Sequence, residues 1–201
     1  MTLLGPKVAA AKAVGAVVRA SGRGGGTSLP GRLLTALEPN AISELSGRLR
    51  RGSVVVSATN GKTTTAAMLA SVFARTGARL VHNRAGANMA GGVAAALVDA
   101  ARRGGRMDGD LGLFEVDEFW LEAVVQELDP RTLVLGNLFR DQLDRYGELE
   151  SIADRWAHVV AGRSGLVLCA DDPLVADLPT TIRALPRALR VLVPAGARPP
   201  R

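Results

Sequence analysis

Cysteine is almost absent from this chain of 201 residues, which carries only Cys169. A single cysteine excludes an intrachain disulfide and a cysteine-based metal cluster, so no zinc site of that kind is expected. Because Cys169 ends an apolar run, we expect a small buried side chain and not a nucleophile. This sparing use of cysteine fits a reducing compartment, and we expect the protein to be cytoplasmic.

Aromatic residues are also scarce, at 3% of the chain, whereas alanine, valine, leucine and glycine dominate it. The core must therefore be filled by small aliphatic side chains. A chain of this length buries about 70% of its unfolded surface, which is enough for one sizeable domain. This composition suits an α/β fold in which helices pack over a parallel, doubly wound sheet.

Acidic residues are rare in residues 1–51, and this segment holds the whole formal net charge of +6. Aromatic residues that could stack on bases are missing from it, so nucleic acid is not an expected partner. A solvated basic helix face explains the charge, and contact with an anionic lipid surface is the alternative. The apolar run 13–18 is too short for a signal peptide or a membrane span, which leaves at most peripheral membrane contact.

Strand-like and helix-like segments alternate after residue 52. The predicted strands lie near 53–57, 78–82, 110–116, 132–136 and 165–169, and the predicted helices near 63–75, 91–102, 119–127 and 148–161. Residues 7–20 have helical spacing and are interpreted as an appended arm outside the core. Such alternation predicts a parallel sheet with crossover helices, which binds its ligands at the carboxyl ends of the strands.

The most informative motif is SATNGKTTT at residues 57–65, between the first strand and the next helix. A polyphosphate needs converging N–H donors, a mobile cation and a hydroxyl for its Mg²⁺. Gly61 lets the backbone approach closely, Lys62 supplies the ammonium group and Thr63 the hydroxyl. The loop is shorter than the common P-loop, and a chance Gly-Lys-Thr at a helix start is the alternative. The flanking strand and helix favour a site for ATP and Mg²⁺.

Polar side chains also lie at or after the ends of the other predicted strands. Glu115 lies near the end of the third strand and Glu118 just after it, and carboxylate oxygens suit Mg²⁺. We expect Glu115 to face the metal, whereas for Glu118 a role limited to capping the next helix is equally compatible. The loops at 82–89 and 136–147 follow the second and fourth strands and are dense in amide and charged side chains.

Together these strings resemble the Mur ligase superfamily and, within it, the MurT-type subunits of lipid II isoglutaminyl synthase. The matching strings, in chain order, are GRGGGTSLPG (22–31), SATNGKTTT (57–65), NRAGANMAGG (83–92), FEVDE (114–118), NLFRDQLDRYGE (137–148) and ADDPLV (170–175). The resemblance implies a Mur ligase central P-loop ATPase domain over residues 52–178. Residues 1–51 would then be a basic helical arm with a Gly-rich segment. Residues 179–201 form an Arg/Pro-rich tail of a composition typical of disorder.

The activity that the resemblance implies is an ATP-dependent carbon–nitrogen ligase of peptidoglycan synthesis. Such an enzyme activates the α-carboxylate of D-glutamate in lipid II as an acyl phosphate and amidates it to D-isoglutamine. The ammonia would come from a GatD-type glutamine amidotransferase in a heterodimer. Lys62 and Glu115 are the implied catalytic residues, with Thr63 and Glu115 on Mg²⁺. The implied ATP-binding residues are Thr59, Asn60, Gly61, Lys62, Thr63, Thr64, Asn83, Asn137, Arg140 and Asp141.

The chain departs from the family pattern in several places. Ala58 replaces the usual glycine of the loop, and no lysine follows Lys62, so the carbamylated lysine of many Mur ligases has no counterpart. Gln142 stands where many members have histidine, as in MurT-type sequences. We expect a chain that lacks the zinc ribbon and C-terminal domain of MurT-type subunits. A truncated, non-catalytic subunit that binds nucleotide or a partner remains an alternative, as does another Mur-like ligase such as a folylpolyglutamate synthase.

Overall fold

Five strands and eight helices form in the part of the chain that the structure, a computed structural model, describes. The described residues are 4–20, 28–83, 87–102, 106–139, 148–161, 163 and 165–178. The strands are β1 Ser53–Ser57, β2 Leu80–His82, β3 Leu111–Glu115, β4 Thr132–Leu135 and β5 Leu166–Leu168. The helices are α1 Leu4–Ala20, α2 Leu29–Leu37, α3 Ala41–Ser46, α4 Lys62–Arg75, α5 Ala90–Ala100, α6 Leu121–Leu128, α7 Glu148–Val160 and α8 Pro173–Asp177.

The strands pair in parallel to form one sheet with the order β2-β3-β1-β4-β5. All five residues of the central strand β1 are buried. Its unbroken apolar run Val54–Val56 follows from this position, because a strand covered on both faces needs no polar side. The predicted parallel α/β sheet with crossover helices is confirmed.

The helices divide between the two faces of the sheet. Leu69, Ala70 and Phe73 of α4 pack on the face that carries Val56 and Leu113. The opposite face is covered by α5, α6 and α7, which share one apolar cluster with Val55 and Phe114. This division is what right-handed crossovers require, since the chain moves from β1 to β2 in one direction and from β2 onward in the other.

The N-terminal helices belong to the core. Leu4, Val8 and Ala11 repeat at helical spacing on α1 and are buried in the large cluster, together with Leu34 of α2 and Ile42 of α3. The interpretation of residues 7–20 as an arm outside the core is therefore wrong, because their apolar strip packs on α2 and α5. The boundaries proposed at residues 51 and 178 stay a prediction.

The predicted strands and helices after residue 52 are confirmed, with shifts of one or two residues at their ends. Helices α2, α3 and α8 were not predicted, although Pro30 stands at the favoured first turn of α2. The tail 179–201 lies outside the described residues. No helix in the described ranges combines the length and the apolar character that crossing a bilayer requires.

Candidate functional site

The candidate site lies at the carboxyl end of β1, where the strand order reverses. β1 is flanked by β3 on one side and β4 on the other. The chain leaves β1 towards β2, on the β3 side of the sheet, and later passes from β3 across β1 to β4, on the other side. A crevice opens at such a switch point in parallel sheets, and ligands bind there. Residues 58–61, which join β1 to α4, lie at this point together with the ends of β3 and β4.

Gly61 ends the loop in a conformation that favours glycine. Its φ is +81°, in the left-handed region, and it immediately precedes the first residue of α4. No side chain among the described residues caps the N-terminus of this 14-residue helix. The N–H groups of its first turn and the positive end of its dipole are therefore presented at the crevice, where an anion is favoured.

Lys62 begins α4 and forms a shielded ion pair. Its Nζ lies 2.8 Å from Glu118 Oε2 and donates to the carbonyl oxygen of Thr59 at 3.2 Å. The Lys62 and Glu118 side chains are only 12% and 11% exposed. The alternative in which Glu118 only caps the next helix is wrong, because its carboxylate accepts from Lys62 and α6 has no side-chain cap.

Thr63 and Glu115 come together across the crevice. Thr63 Oγ1 donates to Glu115 Oε1 at 2.9 Å, and Glu115 is 4% exposed at the end of β3. Neighbouring oxygen ligands of an octahedral Mg²⁺ lie about 3 Å apart, since each is about 2.1 Å from the metal. The donor types and the separation of this pair fit a magnesium site.

Asn83, which follows β2, acts on the backbone of Glu115. Its Oδ1 accepts from the Glu115 N–H at 2.9 Å, and its Nδ2 donates to the carbonyl oxygens of Glu115 and Ala87 at 2.7 and 2.8 Å. The side chain is 2% exposed. Because β2 ends at His82, the amide of Asn83 continues the pairing of β2 with β3 by one step. It thereby fixes the position from which the Glu115 carboxylate faces Thr63.

Asn137, which follows β4, holds the loop between β1 and α4. Its Oδ1 accepts from the Asn60 N–H at 2.9 Å, and its own carbonyl oxygen accepts from the Thr59 N–H at 2.7 Å. The Phe139 N–H donates to Thr59 Oγ1 at 3.1 Å. Thr59, Asn60 and Asn137 thus form one hydrogen-bonded unit that shapes the loop before α4.

Asp172 is a positioning residue that the sequence reasoning missed. Its Oδ2 accepts from the Leu138 N–H at 2.8 Å, and its Oδ1 accepts from the N–H groups of Leu174 and Val175 at the start of α8. An Asp followed by Pro173 is a recognisable helix start, so the sequence alone predicts that Asp172 caps a helix. Its second bond, to the loop after β4, depends on the tertiary fold.

Ala58, the departure from the usual glycine, is accommodated by its neighbour. It is 4% exposed, and a Cβ added at Gly136 would lie 2.7 Å from the Ala58 methyl group. The methyl group therefore occupies space that Gly136 leaves. The remaining predicted residues are Thr64, exposed in the first turn of α4, and Arg140 and Asp141, which lie outside the described residues.

A parallel sheet with a Gly-Lys-Thr helix start at its switch point defines a P-loop-type α/β domain. The sequence pattern of the Mur ligase middle domain matches residues 56–187. Together with the relatives that follow, this match shows that the chain belongs to the Mur ligase family.

Curated relatives include the subunit MurT of lipid II isoglutaminyl synthase (glutamine-hydrolyzing). The chain is 32% identical to MurT of Staphylococcus aureus strain N315 over 154 residues, which are 76% of this chain and 34% of the relative. It is 31% identical to MurT of Streptococcus pneumoniae strain R6 over 63% of this chain and 27% of the relative. The chain thus spans about a third of the length of the relatives it matches.

Among solved structures, MurF ligase of Thermotoga maritima in complex with ADP aligns with a TM-score of 0.58 at 18% identity. The alignment covers 72% of this chain and 34% of that one. Folylpolyglutamate synthetase of Helicobacter pylori aligns with a TM-score of 0.56 at 15% identity, over 79% of this chain and 50% of that one. These likenesses show a shared fold, and the fold does not separate the two kinds of ligase.

Proposed function

We propose that this chain supplies the nucleotide-binding part of an ATP-dependent carbon–nitrogen ligase of peptidoglycan synthesis, of the isoglutaminyl synthase type. The observation that carries the proposal is the meeting of Lys62, Thr63 and Glu115 at the switch point of the sheet. The identity of about 32% to MurT subunits supports the choice of this reaction.

The chemistry of amidation explains why such a site is needed. A carboxylate is a poor electrophile, so its oxygen first attacks the terminal phosphorus of ATP, giving an acyl phosphate and releasing ADP. Ammonia then attacks the carbonyl carbon, a proton leaves the nitrogen, and inorganic phosphate departs as the amide forms. Catalysis of the first step depends mainly on holding the phosphates and balancing their charge.

Each residue of the site has a place in this scheme. Lys62 is proposed to leave Glu118 and neutralise the transferring phosphoryl group, while the first-turn N–H groups of α4 hold the neighbouring phosphates. Thr63 and Glu115 are the residues that would hold Mg²⁺, which supplies charge neutralisation when bound. Asn60, Thr59, Thr64, Asn137, Arg140 and Asp141 are proposed to complete the ATP site. Asn83 is proposed to act through the position of Glu115.

The names of the relatives support a proposal for the rest of the assembly. The words "glutamine-hydrolyzing" and "subunit" in the relatives' name support a heterodimer with a GatD-type glutaminase as the ammonia source. Lipid II is the proposed substrate, and the cytoplasm the proposed location.

Reconstitution tests the proposal. The chain is mixed with the remaining part of a MurT-type subunit, a GatD-type glutaminase, glutamine, lipid II and Mg·ATP, and ADP release and amidated lipid II are measured. The proposal predicts both products and their loss in Glu115→Gln. Nucleotide binding without either product would instead support the alternative of a non-catalytic subunit. ADP release with a folate and glutamate, but not with lipid II, would favour the folylpolyglutamate synthase alternative.

A further inference from the structure

A second cluster of charged residues lies at the opposite, amino-terminal edge of the sheet. Arg50 stands before β1, Arg79 directly precedes β2 and Asp110 directly precedes β3. Backbone hydrogen bonds join the three segments, from Arg51 N–H to the Asp110 carbonyl and from Asp110 N–H to the Arg79 carbonyl. A five-residue strand spans about 16 Å, so this edge is well separated from the loop before α4.

Two aspartates hold three of the arginines in a row. Asp110 Oδ1 accepts from Arg50 Nη2 at 2.7 Å and from Arg79 Nη2 at 3.4 Å. Asp108 Oδ1 accepts from Arg79 Nη1 at 3.1 Å, and its Oδ2 accepts from Arg102 Nε at 3.1 Å. The carboxylates are the more covered partners, since Asp110 is 12% exposed whereas Arg50 and Arg79 are 79% and 60% exposed. The guanidinium groups are thus fixed on one side and turned to solvent on the other.

Two adjoining cavities open at this row. One, of about 440 Å³, is lined by Arg48, Arg50, Arg79, Arg106, Met107, Gly109 and Asp110. The other, of about 640 Å³, is lined by Arg79, Arg102, Arg106, Met107 and Asp108. Arg79 and Arg106 belong to both, and we call the pair of cavities the arginine cleft. Its size lies in the range of small-molecule sites.

The charge of the arginine cleft is strongly positive. Five arginines and only two carboxylates line it, so positive side chains outnumber negative ones in the lining. Hydrogen bonds from Arg50 and then Arg79 lower the pKa of Asp110 to about 2, and a hydrogen bond from Arg102 lowers the pKa of Asp108. Both acids are therefore ionised at neutral pH, and arginines still outnumber them in the lining. A concave surface of one sign concentrates ions of the other.

We propose that the arginine cleft binds a phosphoryl-bearing anion. The planar guanidinium fork matches two oxygens of one phosphoryl group, and several arginines held in fixed positions recognise an anion better than mobile lysines do. Pyrophosphate-sized groups fit the cavities, either as free anions or as the exposed head groups of phospholipids. This second anion site is independent of the nucleotide site.

Calorimetric titration with pyrophosphate at low salt tests the cleft. The unaltered chain, Lys62→Ala, Arg106→Gln and Arg75→Gln are compared. Arg106→Gln removes no ion pair between residues that the structure describes, and Arg75→Gln is the matched control, an exposed arginine on α4. We expect Lys62→Ala to keep a pyrophosphate site, Arg106→Gln to weaken that site about tenfold, and Arg75→Gln to change it less than about twofold.

The outcomes separate this proposal from the nucleotide site. Absence of pyrophosphate binding in Lys62→Ala would overturn the arginine cleft, as would equal weakening by Arg106→Gln and Arg75→Gln. If the unaltered chain and Lys62→Ala bound pyrophosphate identically, the result would count against the nucleotide site and not against the arginine cleft. Sedimentation with phosphatidylcholine vesicles, with and without cardiolipin, identifies the source of the anion. Cardiolipin-dependent sedimentation that Arg106→Gln abolishes points to a lipid head group, and pyrophosphate binding without it points to a free anion.

Discussion

Replacement of Asn83 by alanine tests how the end of β3 is positioned. The substitution removes three hydrogen bonds, two of which satisfy the buried N–H and C=O groups of Glu115. A buried polar group that loses its partner costs about 1 to 3 kcal/mol. With two such groups on Glu115 and partial access of water after truncation, we expect a loss of about 3 kcal/mol in the free energy of unfolding.

The assay is urea denaturation followed by circular dichroism, with Asn88→Ala as the control. Asn88 lies in the same loop and is only partly buried. A loss of about 3 kcal/mol corresponds to a lower melting temperature by roughly 6 to 12 °C in a chain of this size. Asn88→Ala should shift stability by less than about 0.5 kcal/mol.

A second measurement separates positioning from general stability. If Asn83 fixes Glu115 at the magnesium site, the Mg²⁺ concentration needed for tight ATP binding should rise by about 10-fold to 100-fold in Asn83→Ala. Binding of Mg²⁺-free ATP should change far less at a temperature where the variant is folded. An Asn83→Ala protein as stable as the unaltered chain, with unchanged Mg²⁺ dependence, would refute the role of this amide.

Three further predictions concern packing, acid stability and the Lys62 ion pair. Gly31→Ala places a methyl group 2.0 Å from a carbonyl oxygen of α5 and should destabilise the fold by about 1 to 3 kcal/mol. Gly5→Ala, with nothing within 4 Å, should not, and equal melting temperatures of the two variants would contradict this. The lowered pKa of Asp110 stabilises the folded state above about pH 4, and this contribution disappears as pH falls through about 2. The stability difference between the unaltered chain and Asp110→Asn should therefore be largest at neutral pH, and a difference that grows on acidification would sink the assignment. Glu118→Gln should strengthen binding of Mg²⁺-free ATP several-fold in equilibrium dialysis, because Lys62 no longer has to leave a carboxylate. Weaker binding would show that Glu118 itself supports the nucleotide.

The sheet and the phosphate loop could be predicted because both depend on local sequence. An apolar run such as Val54–Val56 predicts a buried parallel strand, and Gly61-Lys62-Thr63 a few residues after that strand predicts a helix start that binds phosphate. The identity of the family followed from the same strings, and the comparisons confirm it.

The tertiary partners of the polar residues could not be predicted in this way. Asn83 was expected at ATP, but its amide is bonded to the backbone of Glu115, a pairing set by the register of β2 and β3. The burial of α1 could not be predicted from its basic composition, because the core contact is made by Leu4, Val8 and Ala11 at helical spacing while its lysines lie outside the cluster. Whether Glu118 only caps α6 or also pairs with Lys62 depends on the distance between the two side chains in the folded chain.

The central claim is that Lys62, Thr63 and Glu115 form an ATP site, and equilibrium binding of Mg·ATP to the 201-residue chain tests it most directly. We predict saturable binding by the unaltered chain and by Lys12→Ala, a control on α1. Binding should be abolished in Lys62→Ala and should lose its Mg²⁺ dependence in Glu115→Gln. Full-strength Mg·ATP binding by a folded Lys62→Ala protein would contradict the assignment of the site.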